Sequence, residues 1–416
     1  MALDMTSFDA ALKVHYGPQR LAEIAFKKRP LLALMPKYTK FGGRNYPMPL
    51  KYAATQNRAA DFQAAQRSSG VSGIATGSQQ LVEFLLTRKK NYALGFLDGE
   101  TIKASEGDKN AFIRAVTSEM DSVLEGLLDD LHYDLYSSDS GLRAVATAGS
   151  TTSFTVAPAE AVRFEVGMAV VHAASETGLL LNAGEAVEIT DVNRRTGVIT
   201  TTTASTSFAP ATGEYIFAAG DRPSVALTSS NRLKMCGLDS WIPATDPSDV
   251  FKGVDRSSDP LKLGGVRVDG TSLTLSEALI EGVIETDRYG GAIDHYFMNH
   301  TDVKNLINEL GSKVEYDVVK DPSGIVGFRS LKIYTPMGTV DVIGDHQCPV
   351  GVAYGLDMST WKLVSAGPVP HLLSLDGNRM LREASADAYE FRFGCYAEVG
   401  CNAPGRNSRV ALPTAA

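Results

Sequence analysis

Fifteen residues near the end of the chain, DAYEFRFGCYAEVGC (387–401), constrain the fold most. Tyr389, Phe391, Phe393, Cys395, Ala397, Val399 and Cys401 take one set of alternate positions, and Glu390, Arg392 and Glu398 fall on the other. Successive side chains of a strand point to opposite faces, so a period of two held this long predicts one long, half-buried strand. Both cysteines sit on its apolar face and read as core residues. Six positions apart on a strand, they stand about 20 Å from each other, too far for a disulfide. Four cysteines in 416 residues, with no CxxC pair, point to reduced and mostly buried thiols.

The strongest helical pattern covers 107–136, where Phe112, Val116, Met120, Val123, Leu127, Leu131 and Leu135 recur at spacings of three and four. Glu119, Asp121, Glu125, Asp129, Asp130 and Asp134 occupy its other faces and read as a solvated or partner-facing side rather than a metal site. YSSDSG ends the helix. A short amphipathic helix is expected at 18–28, followed by an extended stretch punctuated by Pro30 and Pro36. Thr274 and Glu277 form a capping box for one later helix, stopped by Gly290 and Gly291, and DVKNLINELG (302–311) is another.

Residues 44–104 read as two strands around a long polar tip. RNYPMPLKY carries Pro47 and Pro49 as only an edge strand tolerates, and QQLVEFLLTRKKNYALGFLDGE returns. Between them AATQNRAADFQAAQRSSGVSGIATGS has little to bury, which marks an interaction segment. Residues 150–220 turn to Thr, Ser, Ala, Gly and Val, with NRRTG (193–197) as a hairpin connection, and predict a small inserted antiparallel β domain. Residues 221–272 read as a long irregular segment.

No run of eighteen apolar residues exists, so no membrane span is expected, and MALDMTSFDAALKVHYG has no secretory pattern. The net charge of −8 is uneven: residues 1–60 hold ten basic and three acidic residues, or +7, leaving −15 on the rest. A basic arm on an acidic body suits nucleic acid or the body of a neighbouring copy. Catalytic signatures are missing: there is no GxxxxGK[ST], GxSxG or HExxH. Asp345, His346 and Cys348 stand together in GDHQCPVG, but neighbours in a turn rarely converge on one substrate. No further Cys/His pair follows at metal spacing, so a strand–turn–strand scaffold is expected there. No catalytic, cofactor or metal residue is assigned.

LVEFLLTRKKNYALGFLDGETIKAS followed by AFIRAVTSEMDSVLEGLLDDLHYDLYSSDSG, then FMNHTDVKNLINEL, GFRSLKIYTPMGTVDVIGDHQCPVGVAYGLDMSTWKL and DAYEFRFGCYAEVGCNAPGRNSRVAL, occur in an order that resembles the major capsid proteins of tailed bacteriophages. The resemblance covers nearly the whole chain. It implies the α+β Hong Kong-type capsid fold: an N-terminal arm (1–45), an extended loop (46–104), a peripheral domain with a spine helix (105–149) closed by the last strand (376–416), an axial domain (223–375), and the β insertion (150–222). It implies self-assembly as pentamers and hexamers into an icosahedral shell around double-stranded DNA bound without sequence preference, in a virion assembled in host cytoplasm. Either the chain is already processed or it uses a separate scaffolding protein, which the initial Met1 favours; a portal and, in some members, a decoration protein are the other implied partners, with no membrane and no cofactor. Lys27, Lys28, Arg29, Lys37, Lys40 and Arg44 would face a neighbouring subunit or DNA; Lys51, Arg58, Arg67, Lys89 and Lys90 would make the loop contacts. Some members crosslink a loop lysine to an asparagine; Lys51, Lys89 and Lys90 with Asn402 and Asn407 offer the residue types, but no motif fixes a trio. An encapsulin-like compartment shell, or an enzyme using the His346/Cys348 turn, are the alternatives.

Overall fold

The computed structural model describes residues 29–54, 60, 79–99, 109–202, 208–311, 315–320, 327–374, 380–383 and 385–413. A 14-residue strand, Ala388–Cys401, is paired along both edges. Lys89–Asp98 runs antiparallel down one side, from Ala388 opposite Asp98 to Ala397 opposite Lys89. Met380–Arg382, His371–Leu372 and Trp361–Ser365 follow one another down the other side. Lys37–Tyr38 adds a parallel edge beyond Trp361–Ser365. The expectation of half-burial fails here, because Glu390 and Glu398, placed on the polar face by their spacing, are both buried.

A 28-residue helix, Lys109–Tyr136, packs across this sheet. Val116, Met120, Leu124, Leu127, Leu128, Leu131 and Leu135 are buried at helical spacing. The side chain of Phe112 lies outside the described residues. The acidic faces are not uniformly solvated: Glu119, Glu125 and Asp129 are exposed, whereas Asp134 is buried. Ahead of the helix, Pro30–Leu34 forms a short helix with all five residues buried, and Met35 and Phe41 join the same core. An extended arm without a core of its own therefore does not describe residues 30–41, whose apolar run Leu31–Met35 finds its burial within the subunit. The helix expected at 18–28 lies outside the described residues.

Asn45–Ala53 and Gln80–Thr87 form the expected antiparallel pair, Asn45 opposite Thr87, with Pro47 and Pro49 exposed. The return run divides at Arg88 and continues as Lys89–Asp98 in the other sheet. The Arg88 guanidinium donates to the carbonyls of Phe41 (3.2 Å) and Gly43 (2.7 Å) and lies over the Phe41 ring, pinning the bend.

A second, seven-stranded sheet has the order Val266–Asp269, Ser408–Ala411, Val352–Leu356, His295–Met298, Gly338–Gly344, Gly327–Thr335, Glu315–Lys320. Helices Leu275–Asp287 and His300–Leu310 cover one face around Leu279, Val283, Met298 and Leu306. Both halves of the Thr274/Glu277 capping box form. Gly338–Gly344 and Val352–Leu356 flank His295–Met298 rather than each other. Residues 345–351 are thus a connection past the end of that strand, not a tight turn, because His295–Met298 lies between the two strands it joins.

A third sheet, Leu142–Val145, Tyr215–Ala218, Ala169–Ala173, Val187–Asn193, Val198–Thr201, Ser153–Thr155, Ala148–Gly149, holds its own core of Phe154, Phe164, Val170, Ile189, Ile199, Phe208 and Ile216. It begins before residue 150. Gly197 closes its NRRTG turn at φ +78, where an added Cβ would stand 2.0 Å from the Val156 carbonyl oxygen. The segment after it is not wholly irregular: Val266–Asp269 joins the second sheet, and Trp241 packs edge-on against Phe84, Phe251 and Trp361.

Candidate assembly surfaces and the buried polar clusters

The basic residues singled out in the sequence divide three ways. Lys40, Arg44, Lys51 and Lys90 are exposed, and Lys37, also exposed, reaches the Ala33 carbonyl at 3.4 Å. Arg29 is turned inward: it is 3% exposed and donates from Nε (3.0 Å) and Nη2 (2.5 Å) to Asp129 Oδ1 on the long helix. Its charge is met inside the subunit, which removes it from the candidate contacts for DNA or a neighbour. Lys89 is half-buried and donates to the Arg232 carbonyl. Lys27, Lys28, Arg58 and Arg67 lie outside the described residues.

The sequence reading missed an apolar stripe. Tyr92 (47% exposed), Leu94 (48%) and Phe96 (51%) alternate along the outer face of Lys89–Asp98, with Leu81 and Leu85 exposed on the neighbouring Gln80–Thr87 strand. The signal was present in KNYALGFLD, which is apolar on both faces; its inner face, Gly95 and Leu97, is buried. A strand with large apolar side chains on its open face is the kind of surface that marks a protein contact.

Beneath these surfaces lie three polar clusters. In the first, Lys234 Nζ stands 2.5 Å from Asp130, 3.1 Å from Asp134 and 3.4 Å from Asp221, while Arg143 pairs with Asp130 and Asp221. Asn91 donates to Asp130 at 2.6 Å. Three carboxylates face two cations, so one proton neutralises the group. Burial, opposed by Lys234 but reinforced by Asp130 and Asp221, pushes the Asp134 carboxyl up to about 8. Asp130 is held well below the usual range: burial works to raise it, but Arg143 and Lys234 together outweigh that. The cluster fastens the long helix to the third sheet and to the segment that follows it.

In the second, the fully buried Glu398 accepts from Lys252 Nζ (2.9 Å) and from the Cys236 amide (2.9 Å). Nearby, Asn407 is a buried hub. Its Oδ1 accepts from the Asp357 amide (2.9 Å) and the Trp361 indole (2.8 Å), and its Nδ2 donates to Thr360 Oγ1 (3.1 Å) and the Ala403 carbonyl (3.0 Å). Its amide is fully used within the fold, which removes it as a partner for a loop lysine; Asn402 is half-buried.

The third cluster includes the connection at 345–351. Asp345 is buried, and its Oδ2 contacts His132 Nε2 (2.8 Å) and accepts from Tyr136 Oη (2.8 Å), both on the long helix. Its Oδ1 accepts from the Gln347 amide at 3.1 Å. His346 turns outward, half-exposed. Cys348 is buried with Sγ toward the carbonyls of Phe297 (3.6 Å) and Val352 (3.7 Å), and burial pushes its thiol well above the usual value. A buried thiol facing carbonyls has neither a base nor an approach for substrate, so the connection does not present a Cys nucleophile.

Residues 213–372 match the family model of the SU10 major capsid protein. No curated protein matches the chain. Among solved structures, the fold is similar to that of the cyanophage A-1(L) capsid asymmetric unit, at a TM-score of 0.51 and 10% identity over 94% of each chain. Weaker likenesses are a virus-like particle from Pyrococcus furiosus (TM-score 0.37, 9% identity, 94% of this chain and 95% of that one) and Mycobacterium phage Bobi (0.42, 10%, 94% and 92%). The mixed helix-and-sheet fold is thus the fold of a phage capsid subunit, and residues 213–372 are similar to the SU10 major capsid protein family.

Proposed function

We propose that copies of this subunit associate as pentamers and hexamers into a closed icosahedral shell around double-stranded DNA, with no base-specific contact. The observation that carries the proposal is the stripe of Tyr92, Leu94 and Phe96 beside the two-stranded hairpin, an apolar surface left exposed among the described residues. Met48, Phe84 and Leu86 seat one face of the pair in the subunit's own core, and the exposed Leu81 and Leu85 leave the other face for a neighbour. On this reading Lys109–Tyr136 is the spine helix of the peripheral domain, the second sheet belongs to the axial domain, and the third sheet is an insertion. The exposed Lys40, Arg44, Lys51 and Lys90 supply non-specific contacts to an acidic neighbour or to phosphates. A separate scaffolding protein, a portal and a decoration protein complete the assembly.

The test is electron microscopy and sedimentation of a Leu94→Ser/Phe96→Ser double variant. Both side chains are about half exposed, so the subunit keeps its fold and circular dichroism while closed shells are lost. Normal shells from the double variant would remove the stripe from the assembly contacts.

A further inference from the structure

The connection at 345–351 and the long helix meet at a group of donors that the chain's order conceals. His132 comes from the helix, while Asp345 and His346 come from the connection. One donor atom from each lies within 4.8 Å of the others. His132 and Asp345 are fully buried, and His346 opens the group to solvent. We propose that His132, Asp345 and His346 bind a transition-metal dication of the zinc class.

Two imidazoles and one carboxylate favour zinc and its neighbours over calcium or magnesium, which prefer all-oxygen sites. Metal–ligand bonds near 2.1 Å in a tetrahedral site separate donor atoms by roughly 3.4 Å. The His132 Nε2 to Asp345 Oδ2 distance of 2.8 Å and the His346 Nδ1 to Asp345 Oδ1 distance of 3.7 Å, one to each carboxylate oxygen, lie on either side of that value, and one donor atom from each residue lies within 4.8 Å of the others. A small swing of the half-exposed His346 ring completes the set. One of the three ligands is already oriented by outer partners: the Tyr136 hydroxyl and the Gln347 amide hold the Asp345 carboxylate. The His300 ring lies close by, against Gly344. Bound metal would clasp the helix to the second sheet through residues that lie far apart in sequence.

The experiment uses the purified full-length protein and cobalt(II) as a spectroscopic probe, followed by zinc(II) alone in calorimetry. The expected result is a titration end point of one ion per chain with the visible bands of tetrahedral cobalt. His346→Ala and His346→Asn should each weaken zinc binding at least about tenfold and abolish the bands. His371→Ala, a histidine outside the cluster, should leave both unchanged. Equimolar zinc should raise the melting temperature of the wild type, reversibly with chelator, and not that of the His346 variants, whose melting in chelator should equal wild type. Absence of a stoichiometric end point, or equal zinc affinity in wild type and both His346 variants, would overturn the proposal.

Discussion

Lys252→Met tests how the buried Glu398 carboxylate is sustained. The methionine keeps the apolar stem and the left-handed backbone at position 252 (φ +50), and removes only the ammonium 2.9 Å from Glu398 Oε2. Breaking a buried pair on one side costs about 3–5 kcal/mol. The structure sets a ceiling, because a stranded carboxylate can always take a proton instead. From an ordinary glutamate pKa near 4.3, protonation at pH 7 costs roughly 1.36 × 2.7, or ~3.7 kcal/mol, and at pH 5 only ~1 kcal/mol. Burial already pushes Glu398 upward in the wild type, with Lys252 as the main opposing influence. Without Lys252 the folded-state pKa rises further above the unfolded one. The variant is then most stable below the unfolded pKa and loses stability as pH climbs toward the folded one. Urea unfolding of the unassembled subunit, followed through the buried Trp241 and Trp361, should therefore give a penalty of about 4 kcal/mol near pH 7 that shrinks to about 1 near pH 5. Adding Glu398→Gln should recover most of the loss at pH 7. A penalty that is equal at both pH values, or that Glu398→Gln leaves untouched, would refute the electrostatic account and leave only lost packing.

Asp134→Asn should leave stability near pH 7 within about 1 kcal/mol of wild type, whereas Asp130→Asn should cost about 3. With a folded pKa of about 8 above its unfolded value, Asp134 makes the wild type lose stability as pH rises from about 4 to 8, and the Asn variant should lack that slope in urea titrations. Gly95→Ala places a Cβ 2.1 Å from Phe391 Cζ and should cost about 1–3 kcal/mol by the same assay, relieved by Phe391→Leu in the double variant. Deletion of residues 1–28 should leave a soluble subunit that fails to close shells in electron micrographs, while deletion of 1–45 removes the buried Leu31–Met35 and Phe41 and should give insoluble protein. Normal shells from the 1–28 deletion would discard the basic arm as an assembly element.

Local pattern made several elements legible. The capping box at Thr274, the NRRTG connection, the helix ending at Tyr136 and the strand through Phe391 and Phe393 each follow from spacing or turn chemistry within a few residues. What spacing could not reveal is the partner across a face. Glu398 sits on the polar side of its strand by alternation, and Lys252 and the Cys236 amide, brought from elsewhere in the chain, make its burial possible. Arg29 reads as part of a basic run until Asp129 stands opposite it. The connection at 345–351 resembles a hairpin turn because the strand inserted between its neighbours, His295–Met298, occurs much earlier in the chain. His132 escapes notice for the same reason: on a helix it is one polar residue among many, and Asp345 gives it a role.

The pairing of Ala388–Cys401 with Lys89–Asp98 also orders events in time. A ribosome delivers the third sheet complete, since Leu142 through Ala218 contains all seven of its strands and its own core. The hairpin, the long helix and the buried Leu31–Met35 segment are synthesised before or beside it, yet their sheet waits for residues 361–401. Contacts of such sequence separation form late and slowly. A nascent chain therefore carries a finished β unit and an unfinished body, and the Tyr92–Phe96 stripe takes its final geometry only when translation is nearly over. On the proposed assembly, subunits would become competent to meet one another only at release, after each has closed its own core.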